Sequence, residues 1–84
     1  LREKEYEVTV NHDITEAFLK KMSGGVPLEE LDVVTRPCAV EKLDVRKFRI
    51  ILTQGYNRQI RRMCEYCGYC LLYTSPSPRD GATS

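Results

Sequence analysis

The 84-residue chain has no Trp, a single His, and no apolar run near the ~20 residues that a helical membrane span needs. The opening Leu1-Arg2-Glu3-Lys4-Glu5 lacks the basic-then-apolar order of a signal peptide. The chain therefore reads as cytoplasmic, with no membrane partner. Net charge is scarce too: 13 Lys and Arg against 12 Asp and Glu leave +1, which excludes a uniformly basic surface binding nucleic acid by counterion release alone. No Gly-rich phosphate loop is present, since Gly24-Gly25 follows a helical pattern instead of opening one. His12 stands beside Asp13 at a strand-to-helix turn with no Ser or Cys motif to serve, and reads as a solvated turn residue. A chain this short buries only about 60% of its unfolded surface, enough for one small core. Because it opens on Leu and runs straight into strand-like sequence, a piece of a longer protein is expected.

What is present is unevenly placed. Glu3, Glu5, Glu7, Asp13, Glu16, Glu29, Glu30 and Asp32 crowd the first half, whereas Arg46, Lys47, Arg49, Arg58, Arg61 and Arg62 dominate the second. Tyr6-Glu7-Val8-Thr9-Val10 alternates at period two, predicting a strand with Tyr6, Val8 and Val10 toward a core. Asp13 followed by Glu16 resembles a capping box, and Ile14, Ala17, Phe18 and Met22 share a helical face until Gly24-Gly25, predicting a helix of about ten residues. Val33 to Glu41 and Lys47 to Thr53 are β-rich and read as antiparallel neighbours, with Pro37 at an edge or bulge. Phe48, Ile50 and Leu52 fall on one face of the second.

Gln54-Gly55-Tyr56-Asn57 turns the chain into a second helix, with Asn57 as N-cap and Gly68 as the C′ stop. At 100° per residue Ile60, Met63, Cys64 and Cys67 make an apolar stripe, Arg58, Arg62 and Glu65 lie opposite, and Arg61 falls on the boundary. Arginine forks behind a Gly turn suit phosphate, hence RNA. The plainer alternative is a basic helix face pairing with the acidic first half. Cys64-x-x-Cys67-x-x-Cys70, with Cys38 as a fourth ligand, has metal-site spacing. Two of these cysteines sit on the apolar stripe, where free Cys behaves as a small hydrophobe, so no metal is expected. In a cytoplasmic setting all four stay reduced.

After Tyr69 periodicity stops and Ser75-Pro76-Ser77-Pro78 follows, so residues 70–84 read as a non-native disordered tail. Cys70 to Asp80 resembles the in-frame translation of a sequencing-library adapter.

Residues 2–69 carry a closer resemblance. Glu3-Lys4-Glu5-Tyr6-Glu7-Val8-Thr9-Val10, Ile14-Thr15-Glu16 with Phe18, the Gly25-Val26-Pro27 turn, and Phe48 to Gly55 leading into Asn57-Arg58-Gln59-Ile60-Arg61-Arg62-Met63-Cys64-Glu65-Tyr66 are similar to RsuA/RluF-type pseudouridine synthases. The match is to the later part of the catalytic domain, and greatest in the RluF-like branch that acts on large-subunit ribosomal RNA. Tyr56 stands where that branch usually has Leu. The resemblance implies an isomerase without metal or other cofactor that flips a uridine out of RNA, detaches its base, rotates it and rejoins it through carbon. It implies three catalytic positions: Tyr6 stacking on the base and helping to remove the C5 proton, Ile60 packing beneath it, and Arg61 paired with a catalytic aspartate. Asn57, Arg58, Gln59 and Arg62 are the candidate RNA contacts.

The family's Gly-Arg-Leu-Asp motif, which carries the aspartate, does not occur in this sequence, and Asp13, Asp32, Asp44 and Asp80 stand in other contexts. The expectation is an α+β fold, a mixed or mainly antiparallel sheet with two helices, forming an incomplete catalytic domain over residues 1–69. As such it is a monomer and inactive alone. Two rivals stay open: a non-catalytic RNA-binding module using Arg58, Arg61 and Arg62, favoured if Tyr6 and Arg61 face different surfaces, and a small metal-binding protein using Cys38, Cys64 and Cys67.

Overall fold

The computed structural model describes residues 3–53, 55 and 58–76. Tyr56 and the expected N-cap and RNA contact Asn57 lie outside the described residues. Strand β1 (Lys4–Val10) leads into helix α1 (Glu16–Gly24); the short strands β2 (Pro27–Leu28) and β3 (Val33–Val34) flank a 3-10 turn (Glu29–Leu31). Strands β4 (Ala39–Asp44) and β5 (Lys47–Leu52), helix α2 (Gln59–Tyr66) and strand β6 (Leu71–Pro76) complete the chain. The main sheet has the order β4-β5-β1-β6 with every pairing antiparallel, and β2 pairs antiparallel with β3. The expected α+β class with two helices is what forms.

Period-two burial builds the sheet's inner face. Val8 and Val10 of β1 and Phe48, Ile50 and Leu52 of β5 are buried, and the register sets Val8 opposite Phe48 and Tyr6 opposite Ile50. Helix α1 adds Phe18 and Met22, and α2 adds Met63 and Cys64. Phe18 meets Phe48 edge-on at 5.3 Å and Tyr69 at 4.2 Å. The opposite face is an ion-pair lattice in which Arg49 bridges Glu5 and Glu41 across three strands, while Lys47 meets Glu7 at 3.5 Å.

The cap of α1 differs from expectation. Thr15 accepts the Phe18 N–H on its Oγ1 at 3.1 Å, while Asp13 pairs with Arg46 at 2.9 Å instead. The helix ends at Gly25, whose φ of 107° places it where an added Cβ would lie 2.7 Å from the Thr35 carbonyl. That close approach lets Val26 bond twice to Thr35: its N–H donates to Thr35 Oγ1 at 2.8 Å, and its carbonyl accepts the Thr35 N–H at 2.9 Å. Pro37 precedes β4, an edge strand, as a residue without an N–H should.

The segment expected to be disordered is structured in part. Leu71–Pro76 pairs with β1 from Val10 to Tyr6, and the register shifts only at the Thr9/Val10 step. Asn11 and Cys70 start this pairing reciprocally: the Asn11 N–H reaches the Cys70 carbonyl at 3.1 Å, and the Cys70 N–H reaches Asn11 Oδ1 at 2.8 Å. Without β6 the polar backbone edge of β1 would be exposed, and pairing it needs no apolar periodicity in the added strand. Leu72 and Tyr73 are 62% and 63% exposed and only Leu71 of the three packs against the core, so main-chain bonds do most to hold the strand.

Candidate nucleic-acid interface

Tyr6, near the start of β1, and Ile60 and Arg61, in the first turn of α2, are far apart in sequence yet line one cleft of about 390 Å³. Leu52 ends β5 at its wall, Gly55, Arg58 and Gln59 bring in the approach to α2, and Leu71 and Thr74 of β6 close the remaining side. Its volume lies in the range of about 300–1,000 Å³ usual for small-ligand sites. The lining is mixed in the way such sites need: Tyr6, Leu52, Ile60 and Leu71 offer apolar surface, and Arg58, Gln59, Arg61 and Thr74 offer polar groups. Tyr6 is partly buried against the core and also lines the cleft, as suits a ring with an apolar body and a polar tip.

The approach to α2 explains how two arginines reach this place. Arg58 takes a left-handed backbone conformation, φ 53° and ψ 35°, and no side chain caps the helix it precedes. A non-glycine residue there is costly, and it aims the chain abruptly into the helix. The far end of α2 is regular: Gly68, at φ 82°, donates to the Glu65 carbonyl at 3.0 Å and Tyr69 donates to the Cys64 carbonyl at 2.9 Å, the double bond of a Schellman stop. Tyr69 then anchors the exit by donating its hydroxyl to the Asp13 carbonyl at 2.6 Å and meeting His12 edge-on.

The basic residues of the second half divide sharply. Arg46, Lys47, Arg49 and Arg62 pair with acids of the first half, as the plainer reading of the charge distribution held. Arg61 pairs with Glu65 one turn along, its Nε 3.3 Å from the carboxylate. Among the described residues Arg58 forms no ion pair. The helical wheel is also revised: Arg62, expected on the solvent side, is 22% exposed and reaches across to Glu30, while Arg61, expected at the boundary, is 57% exposed. Gln59, a candidate RNA contact, is only 4% exposed and forms part of the cleft wall.

The cysteines belong to the fold. Burial pushes the Cys64 thiol up to about 12, with Cys67 and then Glu65 adding repulsion, and burial also raises Cys38 and Cys67. The Cys38 thiol donates to the Met22 carbonyl at 3.4 Å. Among the described residues no group of three or more His, Cys, Asp and Glu side chains is placed to hold a metal ion. Nor is any helix among them long and apolar enough to cross a membrane.

The condition that favoured a purely non-catalytic module, Tyr6 and Arg61 on different surfaces, is not met. Sequence reasoning misses Leu71 and Thr74 as cleft residues because residues 70–84 read as a disordered tail. Their only sequence signal was a short Leu-Leu-Tyr-Thr run of strand-forming residues.

The "Dual-specificity RNA pseudouridine synthase RluF" of Escherichia coli strain K12 is 58% identical over 67 residues, covering 80% of this chain and 22% of its own length. The protein of the same name from Salmonella typhi is 57% identical over the same extent, and that of Shigella flexneri 55%. Four-fifths of this chain is similar to RluF pseudouridine synthases. It spans about a fifth of the length of these relatives. A crystal structure of a pseudouridylate synthase superposes with a TM-score of 0.83 over 88% of this chain and 32% of its own, at 24% identity, a likeness of fold. No protein-family model matches.

Proposed function

We propose that this chain is part of the catalytic domain of a cytoplasmic RNA pseudouridine synthase that isomerises a uridine in large-subunit ribosomal RNA. The observation that carries the reading is the single cleft lined by Tyr6, Ile60 and Arg61. A base swung out of an RNA helix loses its stacking neighbours at a cost of a few kcal/mol, and a pocket regains this through ring and edge contacts. In this reading Tyr6 supplies the ring that covers one face of the uracil, and its hydroxyl lies near the reacting edge to help remove the C5 proton. Ile60 packs beneath the base. Arg61 orients a carboxylate nucleophile or acid, which the reaction requires and which the sequence does not hold in the Gly-Arg-Leu-Asp motif. Its pairing with Glu65 supports this role: the bond to Glu65 uses Nε, which leaves the Nη pair for a second carboxylate. Arg58 contributes phosphate contact from the rim. The activity needs no metal or other cofactor, and the chain acts as a monomer.

The test uses a fluorescent stem-loop of large-subunit ribosomal RNA with 2-aminopurine beside the uridine. The chain should bind it and raise the 2-aminopurine signal as the base unstacks, while tritium release from C5-labelled uridine stays at background. Tyr6→Ala should keep much of the binding and lose the rise. Equal signals from Tyr6→Ala and the parent sequence would favour an arginine-based RNA-binding module instead, and turnover by the 84-residue chain alone would overturn the assignment of the carboxylate to sequence outside it.

A further inference from the structure

Beside the cleft lies a second, smaller recess of about 240 Å³ lined entirely by charged side chains: Arg58, Arg61 and Arg62 with Glu30 and Glu65. It is several times the ~30 Å³ that one water occupies in the liquid, so an oxyanion and its waters fit. Three guanidinium groups face two carboxylates. Arg62 pairs with Glu30 from the 3-10 turn, Arg61 with Glu65 from its own helix, and among the described residues Arg58 forms no ion pair. The recess therefore carries an excess of one positive charge at Arg58.

Both pairs are built to be exchanged. The carboxylates are 76% exposed at Glu30 and 52% at Glu65, so water screens them and each pair holds weakly. The Arg61 bond uses Nε, which leaves its Nη groups, the part of the fork that matches two oxygens of a phosphate. A backbone phosphate brings a full formal charge and two non-bridging oxygens that accept from several sides, and can engage several guanidiniums where each carboxylate here engages one. Arg58 and Arg61 line the recess and the neighbouring cleft alike, so an anion in one sits next to a base in the other.

We propose that this recess is an anion subsite for a nucleic-acid backbone phosphate adjoining the base in the cleft, and that Glu30 and Glu65 act as internal counter-anions that the phosphate displaces. The identity of the phosphate as nucleic acid rests on the proposed function; the anion subsite does not.

The experiment titrates the 84-residue protein with inorganic phosphate while following the arginine Nε–Hε and α2 amide signals by NMR. Saturable shifts centred on Arg58, Arg61 and Arg62 are expected. Glu30→Gln and Glu65→Gln should each tighten binding about three- to tenfold, the effect of removing one partly screened charge at a few ångströms, and Arg58→Ala should weaken it by a similar factor. Added salt should weaken binding in every variant. Affinity unchanged in both Glu→Gln variants overturns the displacement, and the absence of saturable shifts in every variant overturns the subsite. A second arm compares uridine 3′-monophosphate with inorganic phosphate. Tighter binding of the nucleotide, with shifts that extend to Tyr6 and Ile60, supports the adjoining base cleft. Equal affinities with shifts confined to the arginines refute the base-cleft reading and leave the anion subsite standing.

Discussion

The two helices of this small domain are made to opposite standards. Helix α1 obeys local rules at both ends: Thr15 caps it through its hydroxyl, Glu16 lies in its first turn and Lys21 in its last, as the helix dipole favours. Helix α2 breaks the same rules at its start. It follows a left-handed Arg58, lacks a side-chain cap, buries the polar Gln59 and carries Arg61 and Arg62 in the turn where cations are disfavoured. Its far end, closed by Gly68, is regular. The irregularities are therefore confined to the end that faces the cleft, which is where violations of local preference are expected when residues serve binding.

The largest test of that contrast is Phe18→Ala in α1. Phe18 is 2% exposed and packs on Phe48 and Tyr69, so its loss should cost about 3–5 kcal/mol in urea unfolding, most of what a domain of this size has. Arg58→Ala at the entry of α2 should change stability by less than about 1 kcal/mol. A comparable loss from both would mean that the start of α2 is a structural element like α1, and the contrast fails.

The buried half of α2 gives the next effect, through pH. The Cys64 thiol is pushed from 9.0 in ordinary surroundings to about 12 by burial first, then by Cys67 and Glu65. The folded state thus holds this proton more tightly than the unfolded chain. Its contribution is fully present below pH 9 and is lost as pH rises from there toward 12, at a slope of up to about 1.4 kcal/mol per pH unit. Cys38 and Cys67, also raised, act in the same direction. Urea midpoints for the parent sequence and Cys64→Ala should accordingly converge between about pH 8 and about pH 10, because only the parent has this thiol to ionise. A constant gap would show that Cys64 is solvated when folded.

The regular parts of the molecule were the legible ones. Tyr6, Val8 and Val10 and the Phe48, Ile50 and Leu52 set declared their strands because each buries one face, and burial on one face leaves a period in the sequence. Gly68 declared its helix end because few other residues accept that backbone. The cleft's first three residues came from family resemblance, since nothing in spacing alone links Tyr6 to Ile60 and Arg61. What was hidden depended on distant partners. Asp13 looked like a cap until Arg46, from the turn between β4 and β5, claimed its carboxylate and left capping to Thr15. The helical wheel set Arg62 toward solvent because it could not register Glu30 on another element. Strand β6 left no pattern because it is held by main-chain bonds to β1, which any sequence able to extend can make.

The smallest effects bear most directly on the contrast, because they should have opposite signs. Thr15→Ala removes the hydroxyl that accepts the Phe18 N–H and should cost about 1 kcal/mol. Arg58→Gly removes a Cβ from a left-handed backbone, relieving a strain of about 1–2 kcal/mol, against which glycine's added freedom in the unfolded chain sets about 0.5–1 kcal/mol. The net should be a gain of at most about 1.5 kcal/mol, visible as a raised urea midpoint with an unchanged slope. The same substitution removes one of the two guanidiniums common to the cleft and the recess, so phosphate affinity should fall as stability rises. Ordinary structural residues do not behave in that way, since losing their contacts lowers stability. If Arg58→Gly instead destabilises the domain, the Arg58 side chain supports the fold, and the left-handed entry to α2 owes nothing to binding.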